Sequence, residues 1–346
     1  MPRHRTRPAC LTIIVLMALA LTACDSGNDQ PEATQAPPAS VTFVTVIPQI
    51  SDVGYYGAVS QGYFDDENLQ ASIRFTNSPL EQGESDVLAA VLAGNGDFGM
   101  LGADSILQAR QQGQPVVAIA SVYQRDPTAV VALKNKNIIH PEDLLGKRIL
   151  VWTYETIFRL FASVVGLDMS DITLVTPPEG SVAAGSTLFI TGQVDAMIVN
   201  GTEAVVQFRS AGIDVNTLYF NEYGVANYPK VLFTTEAMLR DHPDVVQRFV
   251  NAFVRGMQYA VRNPVEMSAW FLENYGDQLL VQQRDAQDEL MQAIIPLIAP
   301  PDTQPGVMNA ETWQFIHDEM VKAGLLAEPL DISQAYTRRY VDAYYR

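Results

Sequence analysis

VTFVTVIPQISDVGYYGAVSQGYFDDENLQASIRF, residues 41–75, decides how this chain is read. Val41, Phe43, Val46 and Ile47 form a short β-branched and aromatic run, Pro48 ends it, and Asp52 then stands where a helix N-cap belongs. The pattern is strand, loop, helix. The spacing predicts a helix over residues 53–61 closed by Gly62, and a second strand over 71–75. In an α/β sheet, ligands sit beyond the carboxyl ends of the strands, which makes Gln49, Tyr55 and Tyr56 candidates for a ligand mouth.

The same grammar continues outward. Residues 86–93 read as a helix ended by Gly94, 97–101 as a strand, 105–112 as a helix closed by Gly113, and 116–121 as a strand. Residues 129–133 cross into a second lobe, where strands at 148–152, 172–175, 196–199 and 215–220 alternate with helices at 154–165, 182–191 and 203–210. Such alternation argues for parallel βαβ units. A chain of 346 residues also exceeds the usual single core, so two lobes are expected: 41–128 with 232–346, and 129–231. A shift of 98 positions superposes Gly94 on Gly192, Asp97 on Asp195, Leu101 on Val199 and Asp104 on Thr202. Two like lobes would then set the turns 102–105 and 200–203 on opposite walls of one cleft.

After residues 231–234 return the chain to the first lobe, helices take over. Val245, Phe249, Phe253 and Val254 keep helical spacing, and Pro264 opens a helix that turns Met267, Trp270 and Phe271 inward. Trp313, Tyr340, Tyr344 and Tyr345 receive no role from the sequence.

Arg3, Arg5 and Arg7 precede an apolar run at 11–21 that is too short to span a bilayer, the form of a signal peptide over residues 1–23. Leu21-Thr22-Ala23-Cys24 resembles a bacterial lipobox. That resemblance implies cleavage before Cys24 and lipidation there (palmitate or a similar chain). It also implies a place on the extracytoplasmic face of the cell membrane, where several acyl chains anchor stably and one alone is marginal. Residues 24–40 hold prolines and no large apolar side chain, and read as a disordered tether.

With Cys10 in the leader and Cys24 lipidated, the folded body has neither thiol nor disulfide, which excludes catalytic-cysteine and zinc–cysteine chemistry. His140, His242 and His317 lie far apart without metal-ligand spacing and read as surface residues. Loss of the leader leaves 19 basic against 39 acidic side chains, a charge of −20, which argues against a nucleic-acid partner.

The run Gly62-Tyr63-Phe64, two acidic residues, Glu67 and Leu69, followed later by Leu92-Ala93-Gly94 and Asp97-Phe98-Gly99, resembles the solute-binding proteins of ABC importers. The nearest group is the thiamine-pyrimidine-precursor binders with their sulfonate- and riboflavin-binding relatives, over roughly residues 41–275. The resemblance implies a hinge-linked, two-lobed periplasmic-binding-protein fold of type II, with the ligand in the interlobe cleft. It further implies no catalysis and no cofactor, a monomer, and an ABC permease with its ATPase as partners. The fungal synthases of thiamine pyrimidine look like the same fold, but they use a histidine and a cysteine-rich motif. This chain has no cysteine after Cys24 and no histidine in a predicted cleft loop.

The expected lining is Gln49, Tyr55 and Tyr56 from the first loop, Asp104 at the end of the third strand, Trp152 and Tyr154 on the second lobe, Asn200 and Glu203 opposite, and Tyr223 near the hinge. Plainer readings stand beside these: Tyr55 or Tyr56 as core, Glu203 as a first-turn acid favoured by the helix dipole, Tyr223 as a hinge packer. Sulfonate binders carry a small-residue turn whose free N–H groups hold an anion; here the turn is Trp152-Thr153-Tyr154-Glu155, which tells against a sulfonate- or nitrate-type solute. Of the Trp-x-Pro-Asn-x-Asn-His motif of pyrimidine-precursor binders, Ile47-Pro48-Gln49-Ile50-Ser51-Asp52 keeps only the proline. A flat heteroaromatic vitamin is therefore the expected ligand, riboflavin ahead of an aminopyrimidine, with a structural lipoprotein that binds nothing as a further alternative.

Overall fold

Strand β1 (Ala39–Thr45) buries Val41, Phe43 and Val44 and pairs in parallel with β2 (Leu69–Phe75), the connection running through α1 (Val53–Ser60) and α2 (Tyr63–Asp66). The description comes from a computed structural model and covers residues 37–77, 80–178, 182–279 and 284–346. The expected leader, Cys24 and the expected tether as far as residue 36 lie outside the described residues. The chain continues with α3 (Leu80–Leu92), β3 (Phe98–Leu101), α4 (Ala103–Gln111) and β4 (Val116–Ser121). A second set follows: β5 (Thr128–Leu133), β6 (Arg148–Leu150), α5 (Glu155–Val165), β7 (Thr173–Val175), α6 (Val182–Ile190), β8 (Ala196–Asn200), α7 (Gly201–Ser210) and β9 (Val215–Tyr219). The last part holds β10 (Val231–Thr235) and helices α8 (Glu236–Asp241), α9 (Pro243–Arg262), α10 (Pro264–Tyr275), α11 (Gln287–Ile298), α12 (Ala310–Lys322) and α13 (Arg339–Tyr344).

These strands form two five-stranded sheets, ordered β2-β1-β3-β10-β4 and β7-β6-β8-β5-β9. The parallel βαβ pairings are as expected, but each sheet also holds one reversed strand. β10 runs antiparallel to β3 and β4, and β5 antiparallel to β8 and β9. These two are the strands by which the chain enters one sheet from the other, and that crossing reverses their direction. Two segments, 122–127 and 220–230, therefore join the lobes. Three bonds tie them: Val122 N–H to Lys230 O at 2.9 Å, Asn221 Nδ2 to Asp126 O at 2.7 Å, and Asn227 Nδ2 to Asp126 Oδ2 at 2.8 Å.

The internal repeat is real at the level of hydrogen bonds. Gly94 and Gly192 both take the left-handed conformation, φ +72° and +73°, that a residue with a Cβ disfavours. Three residues on, Asp97 receives Thr42 N–H on Oδ2 (2.7 Å) and donates its own N–H to Thr42 O (2.9 Å). Asp195 makes the same pair with Arg148, at 3.0 and 2.8 Å. In both lobes an aspartate locks the strand entering the middle of the sheet to its neighbour.

One expectation in the first loop is corrected. Asp52 occupies the N-cap position of α1 without capping it: its carboxylate accepts from Thr45 Oγ1 (3.0 Å) and pairs with Lys230 Nζ (2.7 Å), an ion pair whose acid is fully buried. Helix α1 is not amphipathic, since Val53 to Ala58 are buried throughout. It lies so close to α9 that a Cβ on Gly57 would meet Gly256 O at 2.3 Å, and the helices touch backbone to backbone.

The C-terminal region, silent in the sequence, reaches both lobes. Helix α12 packs on α4 of the first and α5 of the second, and α11 on α7. Trp313 is fully buried and stacks on Tyr336 at 4.9 Å and 4°. His317 is buried rather than a surface residue: its Nε2 accepts Leu330 N–H at 2.9 Å and its Nδ1 meets Asp318, which fixes the loop after α12. His140 and His242 are exposed as expected. Among the described residues no helix is long and apolar enough to cross a membrane.

Candidate functional site

Parallel sheets direct the starts of their following helices to one edge, and here two such edges face each other across the crossing segments. Between them lies a cleft of about 540 Å³. One wall is built from α3 and the start of α4, with Glu84, Leu88, Leu101, Gly102, Asp104 and Ser105; the other from the β6–α5 turn, with Trp152, Thr153, Tyr154 and Thr156. Asn227 and Pro229 of the second crossing segment close the hinge end. A hydrogen bond from Gln108 Nε2 to Thr156 Oγ1, 3.4 Å, links the walls directly.

Of the residues expected in the lining, the structure brings Asp104, Trp152 and Tyr154 together in the cleft. Glu203 is not part of that lining; its buried carboxyl feels the charges of Lys230 and Asp52 and in turn raises the Tyr154 phenol. Asn200 is committed elsewhere, because its Oδ1 accepts Glu203 N–H at 3.2 Å and caps α7.

Tyr55 and Tyr56 do not line the cleft. The Tyr55 ring stacks on Phe43 at 4.8 Å, and Tyr56 is enclosed by Phe271 and Tyr275 at 5.2 and 5.0 Å. Both belong to the first lobe's core, where each such ring pair adds about 0.5–1.5 kcal/mol beyond burial. Gln49 is likewise outside the lining, its carbonyl accepting Asp52 N–H at 3.0 Å. Tyr223 packs edge-on against Phe161 at 5.7 Å in the second lobe. Tyr55 and Tyr56 thus take their plainer reading as core residues.

Ser105 and Asn227 were not individually expected in the lining, and neither was Glu84. It sits on α3, directed at the cleft and accepting a 2.5 Å hydrogen bond from Ser105 Oγ. Burial pushes Glu84 above the ordinary carboxylate range, opposed by that bond, by Gly102 N–H and by the charge of Lys230. Burial, then the charges of Glu84 and Asp126, push Asp104 up to about 7. Burial raises Asp126 and Glu203 as well, and keeps Tyr154 a neutral phenol. Glu155, expected to make the β6–α5 turn acidic, instead points outward and pairs with Arg159 at 2.7 Å. The acidity of the cleft comes from the opposite wall.

Three buried polar atoms of the cleft lining lack hydrogen-bond partners: Trp152 Nε1, Asn227 Oδ1 and Gln114 Oε1. Buried polar groups are nearly always paired, so orphans grouped at a cleft mark where a guest would bond. With an indole and a phenol on one wall and carboxyls on the other, the site suits a flat solute rich in N–H and O–H donors. Among the described residues its lining contains neither histidine nor cysteine.

Comparison with known proteins agrees with this geometry. The family described as NMT1/THI5 like matches residues 49–267. The riboflavin-binding protein RibY of Chloroflexus aurantiacus is 27% identical, with 96% of this chain and 97% of that protein covered. A formylaminopyrimidine-binding protein of Halalkalibacterium halodurans is 24% identical over 82% and 84%. Among solved structures, the alkanesulfonate-binding protein SsuA of Xanthomonas axonopodis pv. citri, bound to MOPS, superposes with a TM-score of 0.67, 16% identity and coverage of 88% and 99%. At that identity the superposition establishes the shared fold, the two-lobed periplasmic-binding-protein architecture.

Proposed function

Because the chain belongs to the NMT1/THI5-like family, we propose that it is the solute-binding component of an ABC importer, capturing a flat heteroaromatic vitamin between its lobes and delivering it to a membrane permease. Riboflavin is the favoured solute. The observation that carries this choice is similarity to a riboflavin-binding protein along essentially the whole length of both chains. The cleft is compatible with it: Trp152 and Tyr154 offer ring faces, while Glu84 and Asp104 accept from the ring N–H and the ribityl hydroxyls.

An aminopyrimidine is the second reading, and one correction strengthens it. With Tyr55 and Tyr56 in the core, the cleft presents fewer rings than expected, enough for a single small heterocycle. A formylaminopyrimidine-binding relative points the same way. A binding role is favoured over catalysis of the pyrimidine-synthase kind by similarity to two proteins named as binders along most of both chains. Tethering through a lipidated Cys24 at the extracytoplasmic face of the membrane completes the proposal.

Native mass spectrometry and the visible spectrum of freshly purified protein test the choice of solute. A bound flavin supports the first reading, and a bound aminopyrimidine mass replaces it with the second.

A further inference from the structure

An anion-binding cleft needs free N–H groups at a helix start, a cation, or both. Here the start of α4 is already occupied by the chain's own acid, while the start of α5 on the opposite wall carries no side-chain cap, so exclusion of an anion has to come from charge. Asp104 folds back over Gly102, where a Cβ would lie 2.4 Å from its Oδ1, and the N–H groups of Asp104 and Ser105 act on that carboxylate. At the matching turn of the second lobe, the Glu203 N–H is taken by Asn200. Glu84 holds the Ser105 hydroxyl. No lysine, arginine or histidine lines the cleft among the described residues, and the undescribed segments 78–79 and 179–181 contain none. Lys230, the cation behind it, is paired with Asp52. A separate observation marks this as a ligand site and not merely an acidic patch: Asn227, 5% exposed, borders the cleft with its Oδ1 unpartnered.

We propose that Glu84 and Asp104 form a selectivity wall that admits uncharged or cationic solutes and rejects their phosphate or sulfonate counterparts. The wall rests on the reading of this cleft as a solute site. It separates free vitamin from phosphate ester, and it is supplied by this chain's side chains where other members of the fold can hold an anion. Above pH 7, where Asp104 is ionised, a phosphate brought into the cleft would meet that charge with no cation in the described lining to offset it, in a space where charges are poorly screened.

The test is paired titration of the folded protein at pH 8 with riboflavin and riboflavin 5′-phosphate followed by flavin fluorescence, and thermal shifts at the same pH with hydroxymethylpyrimidine, its phosphate monoester, and MOPS. The wild type binds the unphosphorylated member of a pair at least tenfold more tightly and is not stabilised by MOPS. In the Glu84→Gln/Asp104→Asn variant the gap narrows severalfold. Equal binding of a free compound and its phosphate, or stabilisation of the wild type by MOPS, overturns the wall even if the variant does not fold. If neither flavin nor pyrimidine binds, the proposed solute classes fail, and the MOPS result alone decides whether the cleft rejects anions.

Discussion

Trp152 rests against Gly185 of α6 so closely that a Cβ on the glycine would lie 2.2 Å from the indole Cζ2. The contact presses the one indole of the cleft into place from behind, while its Nε1 stays buried and unpartnered. A small residue in a neighbouring helix thus sets how far the ring projects toward a solute.

Gly185→Ala is expected to displace the indole and weaken solute binding about tenfold or more, a loss of about 1.4 kcal/mol, with overpacking costing about 1–3 kcal/mol of stability. Trp152→Phe keeps a ring and deletes the N–H, so it loses about one hydrogen bond, roughly 0.5–1.5 kcal/mol of affinity. Isothermal titration of both variants checks the pair; unchanged affinity in Gly185→Ala removes the indole from the site.

Gly57→Ala tests the core. The added methyl meets Gly256 O at 2.3 Å on a backbone that cannot yield locally, so α1 and α9 must separate. A loss of about 1–3 kcal/mol or more is expected. Gly212→Ala, with φ +70° and open space around it, loses only the left-handed penalty of about 1–2 kcal/mol. Urea unfolding of the two variants ranks them, and a Gly57→Ala protein as stable as the wild type contradicts the close helix contact.

Stability of the empty protein should fall as pH rises through neutrality. Asp104, held at about 7 against an ordinary value of 3.8, keeps a proton in the fold that the unfolded chain has already released. Its contribution is complete below pH 4 and lost as pH rises through 7; Glu84, Asp126 and Glu203 act in the same direction. Asp143 and Asp168, lowered by hydrogen bonds from backbone N–H groups, act oppositely, and only where pH falls below about 4. Denaturant midpoints at pH 5 and pH 8 check the sign: the midpoint is higher at pH 5, and Asp104→Asn flattens the difference. A wild type more stable at pH 8 refutes this account of the pair.

How much of this was legible in the sequence follows from what kind of signal each feature leaves. The βα alternation and the aspartates at 97 and 195 are local punctuation, and the structure repeats them bond for bond. The reversal of β5 and β10 leaves no local trace, because a strand's direction depends on which sheet the chain came from. Tyr55 and Tyr56 stand where a ligand mouth belongs, but Gly54 and Gly57 let α1 sink between its neighbours and carry both rings into the core. Those glycines were the available signal. Glu84 lies in a polar helix with nothing nearby to distinguish it from a solvated acid, so only the fold reveals that it faces the cleft.

Cys24→Ser is expected to release the protein from membranes without altering solute affinity, since the tether precedes β1, which begins at Ala39. Fractionation decides this; a variant that stays with the membrane rules out the lipid anchor.

The most direct test of the central claim is riboflavin fluorescence titrated with the wild-type protein and with Trp152→Ala. The account predicts saturable quenching at micromolar protein or below, weakened at least tenfold by the substitution, because stacking on the indole both quenches the flavin and holds it. Riboflavin fluorescence left unchanged by micromolar wild-type protein, while formylaminopyrimidine raises its melting temperature, would contradict the account and make the pyrimidine the solute.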